Sequence, residues 1–268
     1  MFNLKNRNAI VTGGGGIVGR GFSKILSEYG ANVAVFDVDI ESANLTVFEI
    51  KKNNPNSNLI AIHCDVTKPE NVYEAVEQVN KIFGSIDILS NNAATKTNNL
   101  KKFLNSFEDY DLDTWREVMS VNIDGMFLMA QAVGKKMLAQ SDGGSIVQTA
   151  SIYGVIAPDQ RIYEGSQYLG QQISSPAVYA ASKAAVIGFS KYLASYWGDK
   201  KIRVNTISPG GVESGQNDQF KNNYSSRVPM GRMAELNEIE AAFLFLASDS
   251  SSYITGQNLI VDGGLSSW

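Results

Sequence analysis

Tyr179 and Lys183 stand four apart in Tyr-Ala-Ala-Ser-Lys, inside a stretch whose pattern predicts helix. That spacing puts the two side chains on nearly one helix face, a turn apart. A phenol beside an ammonium can surrender and recover a proton, because a neighbouring positive charge favours phenolate. Tyr179 then fits a general acid for reducing a carbonyl and a general base for oxidising an alcohol. An ordinary phenol titrates near ~10, so Lys183 is needed to bring it toward neutrality. Ser151, at the end of an apolar run, offers a hydroxyl to hold the substrate oxygen; the alternative is a strand-end turn serine. Asn122 falls in a long helical stretch, where an amide otherwise faces solvent or bonds backbone. Here it is expected to bend that helix and hold a water leading from Lys183. Any helix can carry Tyr and Lys at this spacing by chance, so the pair takes its meaning from its surroundings.

A glycine-rich turn opens the chain: Thr12-Gly13-Gly14-Gly15-Gly16-Ile17-Val18-Gly19, with G-x-G-x-x-G at Gly14, Gly16 and Gly19. Glycines permit a tight turn and close approach of backbone to a pyrophosphate, and the following helix start supplies free N–H groups. Asp37 closes the next strand, 21 positions after Gly16 (37 − 16). Its carboxylate suits the adenosine ribose hydroxyls and would repel the 2′-phosphate of NADP, so NAD is preferred. Its alternative is a turn residue or helix cap. Arg20 lies just past the glycines and is the nearby cation to account for. Asp65 and Val66 follow the third strand, where they would meet adenine. Asn92, Ala93 and Ala94 follow the fourth, where small residues allow a cofactor close and amides can tie strands together.

The elements that must position these groups alternate along the chain. Strands are expected at 8–12, 32–36, 59–63, 86–90, 145–149, 202–207 and 258–261, and helices at 17–29, 41–52, 69–83, 115–139, 178–197 and 237–247. Continuously apolar strands alternating with helices imply a parallel sheet covered on both faces, and right-handed crossovers make it doubly wound. The expected fold is an α/β Rossmann-like sheet of about seven strands in a single domain over residues 1–268. Two segments break the rhythm: Thr95–Asp113, and Tyr153–Ser175. Long loops in a compact domain often cover or line a binding site; an oligomer contact is the alternative.

Composition narrows the class. The chain has 268 residues, 44% of them hydrophobic, and a net charge of −4 without basic runs. No nucleic-acid or membrane partner is expected from that balance. Cys64 and His63 are the only residues of their types, so no metal site is expected and a reducing compartment suits the thiol. With no basic-then-apolar leader and no span-length apolar run, a cytoplasmic protein is expected.

Together these residues resemble the short-chain dehydrogenase/reductase family over nearly the whole chain: the T-G glycine turn, Asp65, Asn-Asn-Ala, the asparagine of Val121-Asn122-Ile123, Ser151, Tyr179-x-x-x-Lys183, Pro209-Gly210 and Asp262-Gly263-Gly264. The resemblance implies a nicotinamide cofactor as hydride carrier and a homotetramer or homodimer. Pro209 and Gly210 then face the nicotinamide, with Val212 bonding its carboxamide through backbone and a lid over about 212–226. The chain departs from the family pattern in its T-G-x-x-G-x-x-G spacing, in Ala94 where glycine is common, and in the 28 residues (179 − 151) from Ser151 to Tyr179. That longer connection, Ser151–Gly165 above all, is similar to the flagellin-modification oxidoreductases of surface-sugar pathways. Within it Tyr153, Arg161, Tyr163 and Glu164 are the candidate substrate contacts. Arg161 suits a phosphate or carboxylate; pairing with Glu164 is its alternative. The expected activity is NAD-dependent interconversion of a secondary alcohol and a ketone on a small-molecule substrate, a sugar or a phosphorylated or nucleotide-linked sugar. An epimerase or dehydratase with tightly held NAD keeps the same residues, and a non-catalytic NAD-binding sensor or scaffold is the alternative from another class.

Overall fold

A computed structural model describes residues 2–168 and 170–268; Met1 and Leu169 lie outside the described residues. In chain order the elements are β1 (Asn8–Thr12), α1 (Ile17–Glu28), β2 (Asn32–Asp37), α2 (Ile40–Asn53), β3 (Leu59–His63), α3 (Pro69–Phe83), β4 (Ile88–Asn91), α4 (Leu100–Phe103), α5 (Leu112–Met119), α6 (Met126–Ala139), β5 (Gly144–Thr149), β6 (Gln167–Tyr168), β7 (Gln171–Gln172), α7 (Ala177–Trp197), β8 (Ile202–Pro209), α8 (Asp218–Ser225), α9 (Leu236–Ala247) and β9 (Asn258–Val261).

Seven strands form one parallel sheet in the order β3-β2-β1-β4-β5-β8-β9. Alternate residues of each strand leave the sheet on opposite faces. In β1, Ile10 joins the core under α3, α6 and α7, while Ala9 and Val11 join the core under α1 and α9. Phe22 of α1 stacks on Phe243 of α9 at 4.0 Å between ring centroids and locks the second face. Both faces are covered, which is why the strands read as unbroken apolar runs.

The order reverses direction between β1 and β4. Chains leaving these two strands part company there and open a crevice at the carboxyl edge of the sheet. Thr12 spans its floor: its hydroxyl accepts from the Asn92 and Ala93 N–H groups at 2.9 and 3.0 Å, and Asn92 Nδ2 returns a bond to the Thr12 carbonyl.

Three sequence expectations change. The strand expected at 86–90 begins at Ile88, because Asp87 turns its carboxylate to the Asn8 N–H and Arg7. Segment 95–113 contains α4 and the start of α5, each opened by an Asx cap, Asn99 on the Lys102 N–H and Asp111 on the Thr114 N–H; polar caps hide short helices from an apolar-period reading. The long helix expected over 115–139 is instead α5, a π-helical segment Ser120–Gly125, and α6.

Candidate active site

Tyr179 enters α7 one turn after Pro176, which caps the helix and fixes its start. Lys183 follows one turn later, 3% exposed, with its Nζ 5.8 Å from the centre of the Tyr179 ring. The ammonium donates to the Thr149 carbonyl at the tip of β5, at 2.9 Å. Burial pushes its pKa down to about 8, since a charge in an apolar surround loses hydration. Burial also pushes the Tyr179 phenol up, while hydrogen bonding from Ser151 pulls it down. Ser151 stands just past β5, and its hydroxyl accepts from the Tyr153 N–H at 3.2 Å.

Asn122 lies in the π-helical segment and is fully buried. A π turn widens the helix by one residue and leaves the local ladder imperfect. Asn91 meets part of that need by donating to the Met126 carbonyl at 2.8 Å. Asn122 accepts from the Thr95 N–H at 3.1 Å and donates to the Ser182 hydroxyl at 3.0 Å. Ser182 in turn donates to the Tyr179 carbonyl at 2.9 Å. The long helix expected here is interrupted by a π-helical segment, and the side-chain partners of Asn122 are the Thr95 N–H and Ser182, the residue before Lys183.

Ser151, Tyr179 and Lys183 line one wall of a cavity of about 950 Å³ at the reversal point. Its other walls carry Gly13, Gly16, Ile17, Val18, Gly19, Asp37, Asp65, Val66, Asn92, Ala93, Ala94, Pro209, Gly210 and Val212. Gly14 lies behind the turn: a Cβ there would stand 2.4 Å from Val35 Cγ1. Gly13 adopts φ +63°, and a Cβ on Gly19 would come within 2.2 Å of the Gly13 carbonyl oxygen. A Cβ on Gly16 meets only ordinary contact inside the protein, so the open space there belongs to whatever occupies the cavity. No side chain caps the N-terminus of α1, which leaves its first N–H groups and positive dipole end for an anion.

These residues fit a dinucleotide. Asp37 accepts from the Gly15 N–H at 2.9 Å, so the carboxylate is fixed at the cavity wall. Arg20 donates to Glu49 at 2.8 Å and to the Gly15 carbonyl at 3.4 Å. Asp65 uses one oxygen on the Thr67 N–H and hydroxyl. Past β8, the Val212 carbonyl accepts from Gln216, while the neighbouring Gly211 and Glu213 pair with Ala234.

A second cavity of about 630 Å³ adjoins the first, sharing Ile17, Lys96, Ser151, Tyr179, Gly210 and Ser214. Tyr153 and Tyr163 line it, both with phenols pushed up by burial and bonded to one another. Arg161 and Glu164 do not. Arg161 is exposed and forks onto Asp159 with two 2.8 Å bonds, and Arg227 shares that carboxylate. The Asp159 carboxylate also caps the 3₁₀ turn 160–163 by accepting from the Arg161 N–H, which holds Arg161 to the residue two positions before it. Glu164 instead offers its carbonyl to Asn223 of α8.

Segment 153–175 packs against α8 and the chain that follows it. Tyr163 stacks on Phe220 of α8 at 5.6 Å, and Ile162, Tyr163, Tyr224, Val228 and Met233 share a small core. The Tyr224 hydroxyl accepts from the Gly211 N–H at 2.5 Å. Among the cavity residues that escaped the sequence reading are Lys96, Gln216 and Asn217. The signal for Lys96 was its place directly after Asn-Asn-Ala-Ala-Thr, at the edge where ligands bind; the amides carried no signal before α8 was placed.

A family profile described as enoyl-(acyl carrier protein) reductase matches residues 15–266. The chain belongs to the short-chain dehydrogenase/reductase family. It is similar to an NAD-dependent glycerol dehydrogenase of Listeria innocua, 35% identical over 268 residues that cover 98% of this chain and 95% of that one. It is 36% identical over 266 residues to a 3-oxoacyl-(acyl-carrier-protein) reductase of Chlamydia muridarum, covering 98% of each. A solved short-chain type dehydrogenase/reductase from Mycobacterium marinum superposes with a TM-score of 0.84 at 31% identity, over 98% of this chain and 96% of that one. Membership makes this member of the family an oxidoreductase of alcohols and ketones. No helix among the described residues is long and apolar enough to cross a membrane.

Proposed function

We propose that this chain is an NAD(H)-dependent oxidoreductase that interconverts a secondary alcohol and a ketone on a polyhydroxylated, sugar-type small molecule. The observation that carries this reading is the meeting of Ser151 and Tyr179 where the two cavities join, with Lys183 beside Tyr179 on the larger one. Nicotinamide bound in the larger cavity supplies the hydride acceptor or donor. In the oxidation direction Tyr179 takes the hydroxyl proton as the carbinol carbon loses hydride and the C=O bond forms. In reduction it returns that proton to the alkoxide oxygen. Ser151 holds the same oxygen and stabilises its developing charge. Lys183 lowers the cost of phenolate and opposes the upward push of burial on Tyr179. Asn122, through Ser182, holds the turn of α7 that carries both groups.

Asp37 supports NAD over NADP: its fixed carboxylate lines the cavity, while Arg20 is ion-paired with Glu49 and does not line it. The sugar-type substrate rests on the polar wall of the smaller cavity, where Tyr153, Tyr163, Ser174 and Gln167 join the rim amides Gln216 and Asn217. A homodimer or homotetramer goes with this reading. Tyr179→Phe tests it: NADH formation from a polyol panel should fall by a factor of ~10²–10⁴ while NADH still binds. Near-normal turnover in that variant removes Tyr179 from the mechanism.

A further inference from the structure

The charges around the smaller cavity are distributed unevenly. Among the described residues lining it, Lys96 is the only charged one; no aspartate or glutamate contributes. Lys101 and Lys102 of α4 sit beside lining residues but do not themselves line the cavity, and other cations around it are paired. Arg161 and Arg227 share Asp159, Lys221 binds Glu213, and Arg232 forks onto Glu238. Lys183 is committed to the Thr149 carbonyl. Lys96 forms no ion pair among the described residues; its Nζ lies 5.6 Å from the centre of the Tyr168 ring. Glu117, an exposed residue on the larger cavity, forms no ion pair with it either.

The position of Lys96 decides what it can read. It is an exposed residue that lines both cavities, as Tyr179 and Ser151 do, and so stands on the rim the two share. Tyr168 belongs to the insertion, in the short pair β6/β7. An aromatic face attracts a cation without neutralising it, so the ammonium is oriented yet keeps its charge for another partner. The opposite wall is apolar, with Phe103, Leu104 and Ile173. A lysine serves as a point charge for carboxylate or phosphate alike.

Resting on the reaction assigned above, we propose that the substrate carries an oxyanion, a carboxylate or a phosphate, which Lys96 binds while the carbinol or ketone lies at Tyr179. The insertion then contributes to specificity through Tyr168, which poises the cation, rather than through Arg161. A neutral polyol fills the same cavity but leaves Lys96 without a counter-charge.

The test uses two matched pairs: glycerol 3-phosphate against glycerol, and 4-hydroxycyclohexanecarboxylate against its carboxamide. Each is titrated by calorimetry into the NADH-loaded protein, and each is assayed for NADH formation with NAD. At least one anion should bind more tightly than its neutral partner, and the pair that responds tells phosphate from carboxylate. In Lys96→Gln that preference should shrink about tenfold, and Lys96→Arg should restore most of it. Absence of anion preference in the natural protein, or an equal loss on both members of a pair, overturns the proposal. So does a fall in NADH affinity that matches the loss in anion affinity, since the cation then serves the cofactor. Lys96-dependent anion binding without hydride transfer to NAD supports this proposal and counts against the assigned reaction instead.

Discussion

The Lys183 ammonium donates to the Thr149 carbonyl at 2.9 Å, which ties the middle of α7 to the tip of β5. That contact holds a charge where the fold would be more stable without one. Burial pushes the pKa of Lys183 from an ordinary 10.5 down to about 8 in the folded chain.

The sign of this shift gives the first prediction. Below pH 8 Lys183 is protonated whether the chain is folded or not, and its burial costs stability in full. As pH climbs from about 8 toward 10.5, the unfolded chain holds the extra proton and that cost is lifted. The full range is roughly 3 kcal/mol. Lys183→Met should therefore lose turnover yet melt higher than the natural protein at pH 7, by less than that full amount because the Thr149 contact goes too. The gap should close toward pH 10. Parallel melts at the two pH values measure it, and a gap that widens with pH would contradict the burial cost.

Asp37→Asn keeps an acceptor for the Gly15 N–H but removes the charge. NADP affinity should rise and NAD affinity fall, moving the ratio of the two dissociation constants by about tenfold. Fluorescence titration with NADH and NADPH reads this directly. An unchanged ratio means that Asp37 does not select the cofactor.

Gly16 and Gly19 should respond differently to alanine. At Gly19 the methyl runs into the Gly13 carbonyl at 2.2 Å, and stability should drop by about 1–3 kcal/mol. At Gly16 the nearest internal atom is 3.4 Å away, so Gly16→Ala should keep its melting temperature and lose NADH affinity. Equal thermal losses in the two variants would falsify the division between a packing glycine and a ligand-facing one.

Phe220→Ala removes the stack that binds α8 to the insertion. An aromatic pair of this kind contributes about 0.5–1.5 kcal/mol beyond buried area. With the unit loosened, KM should rise several-fold while NADH affinity holds, because Phe220 lines the smaller cavity and not the larger. Limited proteolysis should cut the variant faster between residues 153 and 175. An unaltered KM would show that segment 153–175 and α8 do not act together.

Much of the fold is written locally. Unbroken apolar runs with helical stretches between them require a parallel sheet covered on both sides, and G-x-G-x-x-G marks the crossover from β1 to α1. The Tyr-x-x-x-Lys spacing fixes two groups on one helix face whatever else the chain does. These features depend on neighbours a few residues apart, so the sequence alone determined them, and with them the family.

Partnerships across the chain needed the tertiary structure. Arg161 could equally have served a substrate or Glu164; the turn capped by Asp159 brought a third partner, and the fork went there. Asn122 found Ser182 sixty positions away because a π-helical segment swings its amide toward α7. Lys96 became the one charged residue among the described residues lining the smaller cavity only when the fold set it over Tyr168 of a distant segment. Charges choose partners by distance through space, and a sequence prescribes that distance only within a helix turn or a tight loop.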